Sequence, residues 1–245
     1  MKIAVCFSGG IKYPEHGIES LKKILPNDNV KVFIHTWNIH KRDDFLKTVH
    51  GLNCKEPDKT VITDFNFLSA YNYETLLIEN YDSKQKVFEK MYENLKFKSY
   101  PTTSNGSTYG VGPISMHYSI YKSNELKKDY EKKNNFVFDK VIRMRYDSDF
   151  LGKILNLIEL TSDINIPEGE DWLGGINDQF AVGTSKGIDI YSNLFNEFHN
   201  FQHLDFHPET IFRNNLESKG IDIHRFQFNV RINNGVDFRR ILFGE

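Results

Sequence analysis

Two aspartates one residue apart, Asp147 and Asp149, close the stretch "VIRMRYDSDF" at 141–150. The stretch starts as an apolar run, through Val141, Ile142 and Met144, of the kind that forms a buried strand. On an extended backbone, side chains two residues apart point to the same side. Two unpaired carboxylates placed this way repel, and one is driven toward its protonated form. A divalent cation removes that repulsion, and hard oxygen ligands favour Mn2+ or Mg2+. The carboxyl end of a strand in an open α/β sheet is also where such sheets bind ligands. The pair is therefore expected to form a D-x-D metal site holding a phosphorylated substrate. The plain alternative is a surface turn in which both carboxylates are solvated and Arg143 or Arg145 neutralises them.

A second candidate lies at the other end of the chain. "CFSGG" places Ser8, Gly9 and Gly10 directly after the first apolar run. Glycines let backbone amides approach a ligand, and the N-terminus of a following helix favours phosphate. Neither G-x-G-x-x-G nor G-K-[ST] is present, so the turn matches neither a dinucleotide fingerprint nor a P-loop. A tight strand-to-helix turn explains the glycines equally well.

These residues need elements to hold them. "KIAVCF" (2–7) and "VKVFIHT" (30–36) read as buried strands, with Ile18, Leu21 and Leu25 at helical spacing between them. Strand, helix and strand within this length make a βαβ unit and imply a parallel sheet covered on both faces. "TVITDF" (60–65) suggests a short strand, and the segment from Asp82 a helix with Val87, Phe88, Met91 and Leu95 on one side. "SYPTTSNGSTYGVGP" (99–113) is the richest loop signal and a candidate lid. Pro113 then opens a long helix that runs into "FDKVIRMRY". A short helix around 151–160, a strand at Gln179–Val182 and a helix near 186–200 follow. Pro208 and Gly220 punctuate one more helix, and 221–235 closes as one or two strands. The expectation is one α/β domain over 1–245 with a Rossmann-like, mostly parallel central sheet flanked by helices.

Composition excludes some functions. Hydrophobic residues at 39% suffice for a sizeable core, and a formal net charge of −2 supplies no bulk field for nucleic acid. No apolar run approaches the ~20 residues that span a bilayer, and the first apolar stretch is too short for a signal peptide. Two cysteines, Cys6 and Cys54, make no disulfide framework. A reducing cytoplasm is the expected location, with the membrane surface as the alternative.

The ordered set "KIAVCFSGG", "VFIHTW", "SMHYSIYKSNELKKDYE", "FDKVIRMRYDSDF", "NDQFAVGTS" and "HPET" resembles a family of bacterial and viral glycosyltransferases. These enzymes have the GT-A fold, use nucleotide-sugar donors and are associated with surface-polysaccharide synthesis. The resemblance spans about 2–232, leaving out roughly 40–100. Gly10 and Lys12 stand where the family has Gln and Arg, and Lys lacks the bidentate fork of Arg. "DSD" stands where many relatives keep a single Asp.

The resemblance implies roles for further residues. Ser8, Gly9, Gly10, Lys12, Ser119, Lys122, Arg145 and Asp147 would bind the donor. Asp147, Asp149 and His207 would hold Mn2+ or Mg2+. Asp178 and Glu209 would be the catalytic carboxylates, with Asp178 on the acceptor side. The bland readings remain beside these: a solvated helix face for Ser119 and Lys122, a strand-capping turn for Asp178, and a helix start for His207 and Glu209. Trp37 either packs or stacks on a base or sugar. The implied function is metal-dependent transfer of a sugar from a nucleoside-diphosphate sugar to a glycan or lipid-linked glycan acceptor. The alternatives are a non-catalytic nucleotide- or sugar-binding module of the same fold and an aspartate-nucleophile phosphatase.

Overall fold

A computed structural model of the protein describes residues 1–11, 14–25, 30–41, 59–100, 110–150, 156–157, 159–169, 171–228 and 230–232. The strands are β1 (Ile3–Gly9), β2 (Val30–Trp37), β3 (Ile39–Lys41), β4 (Lys59–Val61), β5 (Thr75–Glu79), β6 (Lys140–Met144), β7 (Ser148–Phe150), β8 (Ile164–Pro167), β9 (Ala181–Gly183), β10 (Ile223–Phe226) and β11 (Val230–Ile232). The helices are α1 (Pro14–Ile24), α2 (Tyr81–Asn94), α3 (Gly112–Asn134), α4 (Ser185–Ser192), α5 (Leu194–Glu197) and α6 (Pro208–Ser218).

Seven strands form one mixed sheet in the order β10-β8-β9-β6-β1-β2-β5. Its pairs are parallel except those of β9, which runs against both β6 and β8. The expected α/β class with a mostly parallel sheet is therefore what the chain adopts.

β1 shows why this strand sits at the centre. Ala4 and Cys6 pack into one apolar cluster with Phe33, Ile114 and Val141, while Ile3, Val5 and Phe7 enter the other with Ile34 and Ile142. A strand apolar on both pleats must be covered on both faces. On one face α1 adds Ile24 to the cluster of Ile3, Val5 and Phe7, and on the other α3 adds Ile114 and Ile120 to that of Ala4 and Cys6. Burial raises the Cys6 thiol to about 12, so this cysteine is core.

The observed elements depart from expectation in several places. β5 lies at the sheet edge, where the sequence suggested no strand. The helix expected near 186–200 is three pieces: α4, α5 and a 3-10 turn at Phe198–Phe201. The helix expected around 151–160 lies largely outside the described residues, as does most of the 99–113 loop. In α2, Phe88 is buried but Val87 is exposed, so they do not share a face.

Candidate functional site

The first wall of the site is the turn that ends β1. Gly9 has φ of +111°, a conformation open to glycine and strained for other residues. The turn is held on both sides. The Gly9 N–H donates to Ser119 Oγ at 2.6 Å, and its carbonyl accepts from Thr36 Oγ1 at 3.0 Å. Ser119 Oγ also lies 2.6 Å from His35 Nδ1, and His35 Nε2 lies 2.9 Å from Glu79. The ionised Glu79 can only accept, so the proton of the neutral imidazole sits on Nε2 facing it, and Nδ1 accepts from the Ser119 hydroxyl.

Burial pulls His35 below its ordinary pKa, against the opposing pull of Glu79. Burial alone would raise Glu79, but hydrogen bonds from His35, Lys84 and Tyr118 hold it down at about 2. Ser119 was expected to touch the donor. Fully buried, it instead positions the glycine turn.

The second wall is the turn after β6. Arg145 donates from Nε and Nη2 to the two oxygens of Asp147, both at 2.8 Å, a bidentate pair over a buried carboxylate. Beneath it, the Tyr146 phenol donates to the His35 carbonyl at 3.2 Å and its ring stacks on Phe7 at 5.5 Å. α1 approaches closely because residue 17 is glycine. A Cβ there would stand 2.6 Å from the Tyr146 carbonyl oxygen. Asp149 does not share Asp147's surroundings: it is on β7, 3.5 Å from Lys23 of α1.

Between the two walls lies a cavity of about 270 Å3, lined by Ser8, Gly9, Gly10, Arg143 and Arg145, with Gly112 and Ser115 from the start of α3. Ser8 Oγ and Arg143 Nε are buried and have no hydrogen-bond partner among the described residues. Orphaned buried donors are costly, and two facing one cavity mark a place where an acceptor belongs. Two guanidinium groups and the positive end of a 23-residue helix outweigh the lining carboxylate of Asp147 and favour an anion as that acceptor. Trp37 borders the same cavity but is only 4% exposed and stacks on Tyr118 at 5.7 Å, so it packs.

Compared with models of known protein families and with curated proteins, this chain matches none.

Lys122 does not line the cavity; its ammonium lies 5.8 Å from the Tyr118 ring. Lys12 lies outside the described residues. On the other flank, Arg143 is 1% exposed and its Nη1 donates to the Asp178 carbonyl, which also accepts from the Tyr191 phenol at 3.0 Å. Asp178 is thus fixed behind Arg143 without lining the cavity. Its buried carboxyl is raised by desolvation, with Arg143 and Arg145 drawing it the other way.

His207 and Glu209 belong to a separate group at the start of α6. His207 Nδ1 lies 3.0 Å from Thr210 Oγ1 and 3.5 Å from Glu209, and burial lowers its pKa. Gly175 lets the loop before β9 come close to the start of α6. A Cβ on that glycine would stand 2.4 Å from the Glu209 backbone carbon.

The cation donor set does not assemble as expected. Among the described residues, no three His, Cys, Asp or Glu side chains stand close enough to hold a metal ion. The repulsion that called for a cation is relieved by Arg145 at Asp147 and by Lys23 at Asp149. As they stand, Asp147, Asp149 and His207 do not fit Mn2+ or Mg2+. Sequence reasoning did not assign Arg143 or the His35–Glu79 pair to the site. An arginine between Ile142 and Met144 in a wholly apolar strand was the available signal.

Proposed function

We propose that the protein is a glycosyltransferase of the GT-A type that binds a nucleoside-diphosphate sugar in the cavity between the β1 and β6 turns. The observation that carries this reading is the convergence there of Ser8 Oγ and Arg143 Nε, buried and without partners among the described residues, with the Asp147-paired guanidinium of Arg145 and a helix N-terminus. The cavity lies at the carboxyl ends of parallel strands β1 and β6, where α/β sheets bind ligands. The sequence resemblance supplies the reaction class, and the mixed sheet is compatible with it.

In this reading the diphosphate takes the Ser8–Gly10 turn, Arg143 Nε and Arg145. An acceptor hydroxyl oxygen bonds to the anomeric carbon as the bond from that carbon to the diphosphate oxygen breaks. The nucleoside diphosphate leaves with the electron pair; for the hydroxyl proton to pass to Asp178, as inversion requires, the Arg143 side chain that stands before it must shift. Raised by burial, Asp178 is a stronger base than a solvated aspartate. Arg143 and Arg145 offset the charge that grows on the leaving group. No step is routed through a metal, because the donor set does not converge.

The test is release of nucleoside diphosphate from a panel of UDP-, GDP- and ADP-sugars, with glycan acceptors and without. Acceptor-dependent release supports transfer. Tight nucleotide binding with no release in any combination would favour the non-catalytic module, which the scattered Asp147, Asp149 and His207 also allow.

A further inference from the structure

A second cleft lies on the α3 side of the sheet, walled by α3, α4 and α6, with a volume of about 310 Å3. It shares no residue with the cavity at the β1 and β6 turns. At its base, Asn215 of α6 is fully buried, and neither its amide nitrogen nor its amide oxygen has a hydrogen-bond partner among the described residues. Asn124 of α3, 2% exposed, also lines the cleft. It donates to Asp189 at 2.8 Å while its own oxygen stays unpartnered. Three orphaned amide atoms in one cleft exceed what a folded interior usually tolerates, and each calls for a missing partner.

The rim says what kind of partner. Its lining charges balance, Lys128, Lys186 and Lys219 against Glu125, Asp189 and Glu197, with Lys128 2.7 Å from Glu125, Lys219 3.1 Å from Glu197, and Asp189 2.8 Å from the buried Lys127. Charges so neutralised do not call for an ionic ligand. Tyr121 is the one aromatic side chain and Ile190 the one aliphatic side chain in the lining, so an extended apolar or flat aromatic ligand finds few faces to cover. Among the described residues, the unpartnered atoms of these two lining asparagines are one donor, Asn215 Nδ2, and two acceptors, Asn215 Oδ1 and Asn124 Oδ1. Adjacent hydroxyl groups, each able to donate and accept, match that set.

We propose that this cleft is a binding site for a neutral sugar unit, held by the amides of Asn215 and Asn124. The observations for it are independent of the reading of the first cavity, and the site stands whether or not that cavity takes a nucleotide sugar.

Saturation-transfer NMR with a panel of neutral methyl glycosides, each at about 10 mM to reveal weak binding, tests the proposal on the whole chain. Signal transfer to at least one glycoside is expected for the wild type, and its loss for Asn215→Leu. Leu is close to Asn in volume and carries no polar atom to leave unpaired, so the variant's melting temperature should equal or exceed that of the wild type. If the longer side chain does not pack, Asn215→Ala carries the same binding test. Arg145→Ala, in the first cavity, should leave glycoside binding unchanged. The proposal is overturned if no glycoside receives saturation, if transfer survives both Asn215 variants, or if Arg145→Ala abolishes it. A large fall in melting temperature for Asn215→Leu together with unchanged transfer would show Asn215 to be structural and equally overturn it.

Discussion

The turns after β1 and β6 face one cavity but satisfy their polar groups in opposite ways. At the first, the backbone is saturated and the side chain open: Gly9 is pinned by Ser119 and Thr36, while Ser8 Oγ has no partner among the described residues. At the second, the side chains neutralise each other, Arg145 closing on Asp147 through two 2.8 Å hydrogen bonds. The first turn is a preformed frame. The second must exchange partners when an anion arrives, because a phosphate oxygen competes with Asp147 for the same guanidinium. Rigid geometry on one side and an exchangeable charge pair on the other would let one cavity bind a diphosphate and release it.

The largest expected effect concerns the residue behind both turns. Asp178→Asn should cut turnover about 10²–10⁴-fold, as loss of a general base does, while donor affinity stays near that of the wild type. Single-turnover kinetics beside calorimetry checks this, and equal losses in binding and turnover would place Asp178 on the donor side.

The frame itself breaks more modestly. Gly9→Ala puts a side chain at φ +111° with nothing within 4 Å of its Cβ, so the cost is backbone strain alone. Chemical denaturation should show a loss of about 1–3 kcal/mol and weaker nucleotide binding. Gly10→Ala, with no positive φ and equal space, should cost far less. If the two variants behave alike, the pinned turn is not the frame proposed here.

The third effect, felt only on acidification, concerns a histidine beside Arg143. His117 is fully buried between Phe198 and Phe212, with neither ring nitrogen partnered among the described residues. Burial, then the charge of Arg143, pushes its pKa down to about 3. Between that value and its ordinary 6.5, the unfolded chain binds a proton that the folded chain refuses. Stability should therefore fall as pH drops through this window, by at most about 1.4 kcal/mol per pH unit for this group. His117→Phe should flatten that part of the profile, leaving the slopes of His35 and His207, which burial also lowers. An unchanged pH profile of urea midpoints would mean that His117 takes up a proton in the fold.

The elements that frame the cavity were legible because their signals are local. β1, β2 and β6 are apolar runs, and Pro113 and Pro208 mark helix starts. β5 was missed: its apolar run, Leu76 to Ile78, is too short to tell a strand from a helix, and at the sheet edge all five residues are only half-buried. The reversal of β9 was hidden too, since strand direction is set by distant partners. For the site, Ser8–Gly10, Arg145 and Asp147, grouped by the resemblance, line one cavity. What failed was pairwise and long-range. The Lys23 that meets Asp149 is 126 residues away, and the serine that pins Gly9 is 110 away. Spacing in a sequence says that two aspartates are neighbours, but not which cations reach them first.

The most direct measurement is nucleoside-diphosphate affinity by calorimetry, in EDTA and in Mn2+, for the wild type, Arg145→Ala and Asp147→Asn. If the cavity binds the diphosphate through Arg145, then Arg145→Ala should weaken binding about 10–100-fold, the range for a hydrogen bond to a charged group. Asp147→Asn removes the competitor and should bind in EDTA at least as tightly as the wild type. Binding that needs Mn2+ and collapses in Asp147→Asn, or no binding of UDP, GDP or ADP at all, would contradict the account.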